Sequence, residues 1–326
     1  MMTQPSSTAS LPASEKLAGL AVQFGVAIGA RGALRSAIDQ PAKPDAYKTT
    51  TEPHARGALL VAAVFAAFGR VYERRTRDLV RLATGGTGIL PGGEIPNDLA
   101  NRLAVEAAAV ADSILTICIR ALDYCPPVDL TFGEYLRALI TADVDLFPDD
   151  VHGYRVAFIA SFRERGIFPP GVPNLSVDTL TWQCPDVSPD ALAPVTEARS
   201  IEWRRKSKRD EVFRAWNKAA ARLYDDVLDK PETPDALFAA LGLVRPNAPG
   251  EPPREVTIDR VKGKVSRIEI GSVRPAWRVG PNGDILSDVV VEMTQRWTPG
   301  EGGGRSVRGG CTIVCDLDTG RVRYVI

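Results

Sequence analysis

ARGALLVAAVFAAFGRVYERRTRDLVRLA, residues 55 to 83, decides the architecture of the first half of this chain. It predicts one long helix. The first half of that helix, ALLVAAVFAAF, is apolar on every side, which is the pattern of a helix buried in a core, and the second half, RVYERRTRDLVRL, is charged and should emerge from it. Upstream, a loop rich in Pro, Asp and Lys runs through Pro53 and separates it from a helix expected near residues 15 to 37. Residues 1 to 14 carry Ser, Thr, Pro and Ala with little to bury and are expected to be a disordered tail. Downstream, GGTGILPGG (Gly85 to Gly93) is a loop, and Pro96, Asn97 and Asp98 open a third helix reaching about Tyr124. Thr131 with Glu134 three residues later forms a capping box for a fourth, and a fifth follows Asp149 and Asp150 and ends at Gly166. Together these make a helical domain over residues 15 to 168.

Composition changes after Pro169. Residues 169 to 250 read as a proline-rich linker holding one long helix, Ser200 to about Asp229, with an apolar stripe through Val212, Trp216, Leu223 and Val227. Residues 251 to 326 alternate with the period of strands in VTIDRV, SRIEIGSV, DVVVEMTQRW, CTIVCDL and VRYVI. Turn signals stand at Pro281-Asn282-Gly283 and Asp318-Thr319-Gly320. Four or five antiparallel strands are expected, and the fold class is α+β.

Forty Lys plus Arg balance forty Asp plus Glu, so net charge points to neither a nucleic-acid nor a membrane partner. The charge-free run Gly57 to Gly69 is shorter than the ~20 residues that span a bilayer. Leu17 to Ala30 imitates a signal-peptide core, but the polar leader with Glu15 and the continuation into Arg31 favour a buried helix. Five cysteines without a C-x-x-C pair suggest neither a disulfide framework nor a zinc knuckle, and a cytoplasmic location fits best.

Two segments carry a family resemblance. LRSAIDQPAKPDAYKTTTEPHARGALLVAAVFAAF, from Leu34, is similar to the stretch of thermolysin-like peptidases, the gluzincins, in which an active-site His opens a long buried helix after an Asp- and Pro-rich loop. ILTICIRALDYCPPVDLTFGEYLRALITADVDLF resembles the family's C-terminal helical hairpin. The match covers roughly residues 17 to 165, and uncharacterised bacterial proteins with such a domain followed by a small β domain are similar in plan. The resemblance implies that residues 15 to 168 correspond to the C-terminal helical half of a gluzincin. It implies an oxyanion-stabilising role for His54, with Glu52 or Asp45 as the candidate acidic partner.

Gluzincin chemistry needs two His one helical turn apart in H-E-x-x-H, so that both imidazoles grip one zinc, and a Glu from the next helix. The two histidines here, His54 and His152, lie nearly a hundred residues apart, so the metal-bearing half is missing from this sequence. No cofactor is expected in this chain, and zinc only if a partner supplies H-E-x-x-H. His152 is expected to be an ordinary residue in the first turn of the fifth helix.

Other constellations weigh less. GGTG at Gly85 to Gly88 lacks the Lys-Ser or Lys-Thr of a phosphate loop. The basic run Arg199 to Arg214 is interleaved with Glu202, Asp210 and Glu211, the pattern of a solvated helix face. Cys311 and Cys315 share one strand face as buried thiols, and Asp143 and Asp145, two apart on a helix, diverge too far to act as a carboxylate pair. The expected function is therefore a non-catalytic remnant or partner subunit of a thermolysin-like zinc metallopeptidase. Its expected partners are a separate metal-bearing half-domain or a peptide. Two alternatives are a metallopeptidase completed in trans by an H-E-x-x-H chain, and an interaction or nucleic-acid-binding module using the helix at 199 to 214.

Overall fold

A computed structural model describes residues 41–87, 95–184, 208–248, 250–280, 283–300 and 304–326. The expected tail at 1–14, the helix near 15–37 and the part of the basic run 199–214 up to residue 207 lie outside the described residues. Among the described residues the chain is α+β, with helices first and a six-stranded antiparallel sheet last. It divides into two compact units, one of residues 1–118 with 149–171, the other of residues 119–148 with 172–326.

In the first unit a short helix α1 (Ala46–Thr49) precedes the long helix α2 (Pro53–Ala83), and α3 (Asn97–Ala121) contributes its residues up to Cys118. Helix α2 begins where Pro53 presets its backbone and the Glu52 carboxylate accepts from the amides of His54 and Ala55. It ends at Thr84, whose hydroxyl donates to the Val80 carbonyl, before Gly85 and Gly86 adopt positive φ. Contrary to the expectation of burial on every side, its apolar half buries one face. Leu59, Ala62, Ala63, Ala67 and Val71 are buried, whereas Val61 is 44% exposed. Alanine makes the stretch apolar in composition without requiring cover all round. By length and composition this 31-residue helix is long enough and apolar enough to cross a membrane, with a third of its apolar window buried.

Helix α2 packs on α5 (Tyr154–Arg163) of the same unit, where Ala157, Phe158 and Phe162 are buried. The Arg70–Glu164 ion pair at 2.6 Å and the Arg74 guanidinium donating to the His152 carbonyl at 2.7 Å fasten their polar flank. His152 lies in the turn before α5 and not within its first turn. Arg75 pairs with Glu106 of α3 at 2.7 Å. Gly166 closes α5 at φ +70°, and a Cβ there would stand 2.0 Å from the Pro44 carbonyl oxygen, so no other residue fits.

The second unit takes up α3 at Ile119, a 3-10 turn (Leu122–Tyr124), α4 (Phe132–Leu146) and α6 (Val177–Leu180). The expected capping box is formed: Thr131 Oγ1 accepts from the Glu134 amide at 3.1 Å and the Glu134 carboxylate from the Thr131 amide at 2.7 Å. Then come α7 (Arg209–Leu223), a π-helical turn (Tyr224–Leu228) and α8 (Asp235–Ala240). The strands are β1 (Glu255–Ile258), β2 (Val261–Val265), β3 (Glu269–Val279), β4 (Ile285–Pro299), β5 (Val307–Asp316) and β6 (Val322–Val325).

Six strands form where four or five were expected, because VTIDRV is a hairpin and not one strand. Asp259 and Arg260 take φ of +49° and +68°, the two positive values of a type I′ turn, and Ile258 pairs with Val261 across it. β4 is the centre: its end at Trp297 to Pro299 pairs with β2, the rest of that side with β3, and its other side with β5, which pairs with β6. Pro275 is tolerated because β3 is an edge strand.

One face of the sheet, with Val273, Val289, Val291, Met293, Cys311, Ile313 and Cys315, buries against Ala219, Leu223, Val227, Leu228, Leu237 and Phe238. The helix placed in a linker by its proline-rich flanks is thus part of the sheet's core, through the apolar stripe that the sequence presents. The compact units consequently fall elsewhere than at 168/169 and 250/251: the hairpin at 119–148 and residues 208–248 belong with the sheet.

Candidate functional site

The other face of the sheet carries charge. On β4, Asp288 precedes the apolar run Val289–Val291, and the alternation of the strand turns it away from the core face. Arg278 of β3 projects to the same side and donates to the Asp288 carboxylate at 2.6 Å. Above them the 3-10 turn supplies Tyr124, and Asp145 descends from the last turn of α4. A carboxylate there opposes the helix dipole and needs cations to offset it. Two guanidiniums do so: Arg323 Nη2 reaches Asp145 at 2.6 Å, and Arg278 Nη1 reaches it at 3.4 Å. Arg323 also holds Asp288 at 3.1 Å, so the two carboxylates share two arginines.

A β-bulge makes this possible. Val314 pairs with Tyr324 and Cys315 with Val322, which leaves Arg323 as the extra residue of β6. In a regular strand Arg323 and Tyr324 would point to opposite faces. Here both reach Asp145, the phenol of Tyr324 donating at 3.0 Å and that of Tyr124 at 2.5 Å. A lateral extension joins Arg274 to Asp123 and Glu292, with Arg120 also on Asp123. Thr312 donates to the Cys125 carbonyl at 2.7 Å and the Trp182 indole to the Tyr124 carbonyl at 3.0 Å, fixing the turn that carries Tyr124.

Burial dominates the electrostatics. The side chains of Asp145, Asp288 and Arg278 are 6%, 5% and 7% exposed. Burial, with Asp145 and Asp316 nearby, pushes the Asp288 carboxyl above its ordinary value against the pull of Arg323 and Arg278. Burial and then Asp145 raise the Tyr124 phenol well above its usual value and lift Tyr324 likewise. For Arg323 burial works against the charge, but Asp145 and Asp288 more than offset it and hold the guanidinium above its ordinary value.

The cluster is neutral, two Asp against two Arg, and both carboxylates are committed to partners. The cavity beside it, lined by Arg120, Asp123, Tyr124, Arg278 and Asp288 among others, has about 10 Å³ of free volume, room for a single water. Such an arrangement orients and holds the elements that meet in it, since each carboxylate is bridged by both guanidiniums.

His54 is exposed at the second position of α2, and its amide donates to Glu52 at 3.0 Å. The Glu52 carboxylate caps the helix, and the amide bonds from His54 and Ala55 lower its pKa, with a smaller contribution from the charge of the His54 side chain. Among the described residues no group of three or more His, Cys, Asp or Glu is placed to hold a metal ion. Cys311 and Cys315 are buried thiols, both pushed up to about 12 by burial. Asp143 is buried in α4, while Asp145 engages Tyr124, Arg323 and Tyr324. The partner of Asp145 is Asp288, 143 positions away, which spacing along one helix could not reveal. A charge standing alone beside an apolar strand run, as Asp288 does in DVVV, is the trace that sequence retained.

Comparison with protein-family models, with curated proteins and with solved structures finds no match for this chain.

Proposed function

We propose that this chain is a non-catalytic partner subunit or remnant of a thermolysin-like zinc metallopeptidase, contributing the helical half that does not hold the metal. The observation that carries the reading is the exposed His54 on the first turn of α2, directly after Pro53, with Glu52 engaged by the backbone. An imidazole there is available to another polypeptide. The saturated ion cluster of the second unit fits a binding and supporting role better than chemistry within this chain.

Metal analysis and peptidase assays test this directly. The purified chain should carry far less than one zinc per molecule and cleave no peptide; stoichiometric zinc overturns the reading. Should an H-E-x-x-H polypeptide be found that confers peptidase activity when mixed with this chain, the metallopeptidase completed in trans becomes the better description. His54→Ala should then lower kcat by about 10²–10³, the usual worth of one oxyanion donor.

A further inference from the structure

We propose that the uncovered end of the sheet's charged face is a docking surface for the phosphate backbone of a nucleic acid. There β2, β4 and β5 lie side by side, and Lys262, Lys264, Arg296 and Arg308 are all exposed. The register puts Arg296 directly opposite Arg308 and Lys264 opposite Thr298, so all four cations share one face. Like charges facing each other across an antiparallel pair destabilise a sheet. The acids on this face offset only part of the charge. Glu269 meets Arg308 at 3.2 Å in a pair that is about half exposed, and Glu255 stands opposite Lys264. Among the described residues Arg296 has Arg308, and no acid, opposite it in the register.

The partner's chemistry follows from what surrounds these cations. They form a two-dimensional array, with strands ~4.8 Å apart and same-face neighbours ~6.8 Å apart along a strand. Hydroxyls lie among them: Ser306 donates to Thr298 at 3.1 Å, and such groups serve phosphate oxygens as donors. The aromatic ring of this region, Trp297, is on the opposite face, where its indole occupies the space a Cβ on Gly263 would need. With no stacking platform among the described residues of this face, the surface reads backbone and not bases, so binding is sequence-independent and salt-sensitive.

Fluorescence anisotropy with a labelled duplex of ~20 base pairs tests this between ~50 and ~200 mM salt. Four phosphate contacts predict a slope of log K against log salt of about −3.6, a loss of roughly 10²-fold over that range. Arg296→Ala with Arg308→Ala should reduce the slope by about 2, with unchanged circular dichroism because both residues are exposed. Arg214→Ala with Lys218→Ala on α7 should leave binding as it was. The proposal is overturned by no binding at ~50 mM salt, or by wild-type affinity in the variant lacking all four cations. It is also overturned by loss of binding in the α7 variant alone, or by polyglutamate displacing the duplex at equal charge concentration, which would assign the surface to an acidic protein.

Discussion

Replacing Asp145 by Asn keeps the shape of the side chain and removes the charge at the centre of the buried cluster. The wild-type carboxylate accepts from Tyr124 at 2.5 Å, Tyr324 at 3.0 Å, Arg323 at 2.6 Å and Arg278 at 3.4 Å. Each bond to a charged group is worth about 1.5–3 kcal/mol, but the four are not additive because they share one carboxylate. The larger effect is what remains: Arg278 and Arg323 would face Asp288 alone, leaving one buried positive charge unmatched. Breaking a buried pair from one side costs about 3–5 kcal/mol, and that is the expected loss. Urea unfolding read by tryptophan fluorescence measures it, because Trp182 donates to the Tyr124 carbonyl and its amide to Thr141 within the same unit. A cycle with Arg323→Gln should show coupling of about 1–3 kcal/mol. A loss below about 1 kcal/mol for Asp145→Asn would mean that the cluster is hydrated, and the reasoning from burial would fail.

Alkaline pH should weaken the fold. Burial pushes the thiols of Cys125, Cys311 and Cys315 from 9.0 to about 12 and raises the Tyr124 phenol. A folded pKa raised in this way contributes stability that is complete below the unfolded value and is lost as pH rises toward the folded one. The urea midpoint should therefore fall steadily from about pH 9 to 12, and Cys315→Ala should flatten that fall; a midpoint constant across this window would refute it. Gly166→Ala forces a Cβ against the Pro44 carbonyl at positive φ and should lower the melting temperature of the first unit, at a cost of at least about 1 kcal/mol. Gln295 accepts from the Val244 amide and donates to the carbonyls of Val244 and Ser266, so Gln295→Leu should cost about 1–3 kcal/mol in urea unfolding. Ending the chain at residue 168 removes the sheet from α4, and limited proteolysis should then cut within residues 119–148, which intact protein protects.

Local physics made much of the helical half legible in the sequence. The capping box of Thr131 and Glu134, the Pro53 start of α2 and the apolar stripe of α7 each act within a turn or two of chain, so residue type and spacing suffice to specify them. Alternation likewise announced β3 to β6, yet it missed the turn inside VTIDRV, because Asp259 and Arg260 hold positive φ without the Asn-Gly signature.

Tertiary structure alone decided which elements share a core and which charges meet. Proline-rich flanks suggested a linker around α7, but the helix buries its stripe under the sheet, and burial is a property of the partner surface that no single segment encodes. Asp145, Arg278, Asp288 and Arg323 come from α4, β3, β4 and β6, and one bulge in the last strand turns Arg323 toward the others. Composition determined an α+β chain with balanced charge and without the paired histidines of a zinc helix. Where those charges concentrate, buried as a neutral cluster at one end of the sheet face and exposed as cations at the other, was set by strand register, which depends on pairing across the whole sheet.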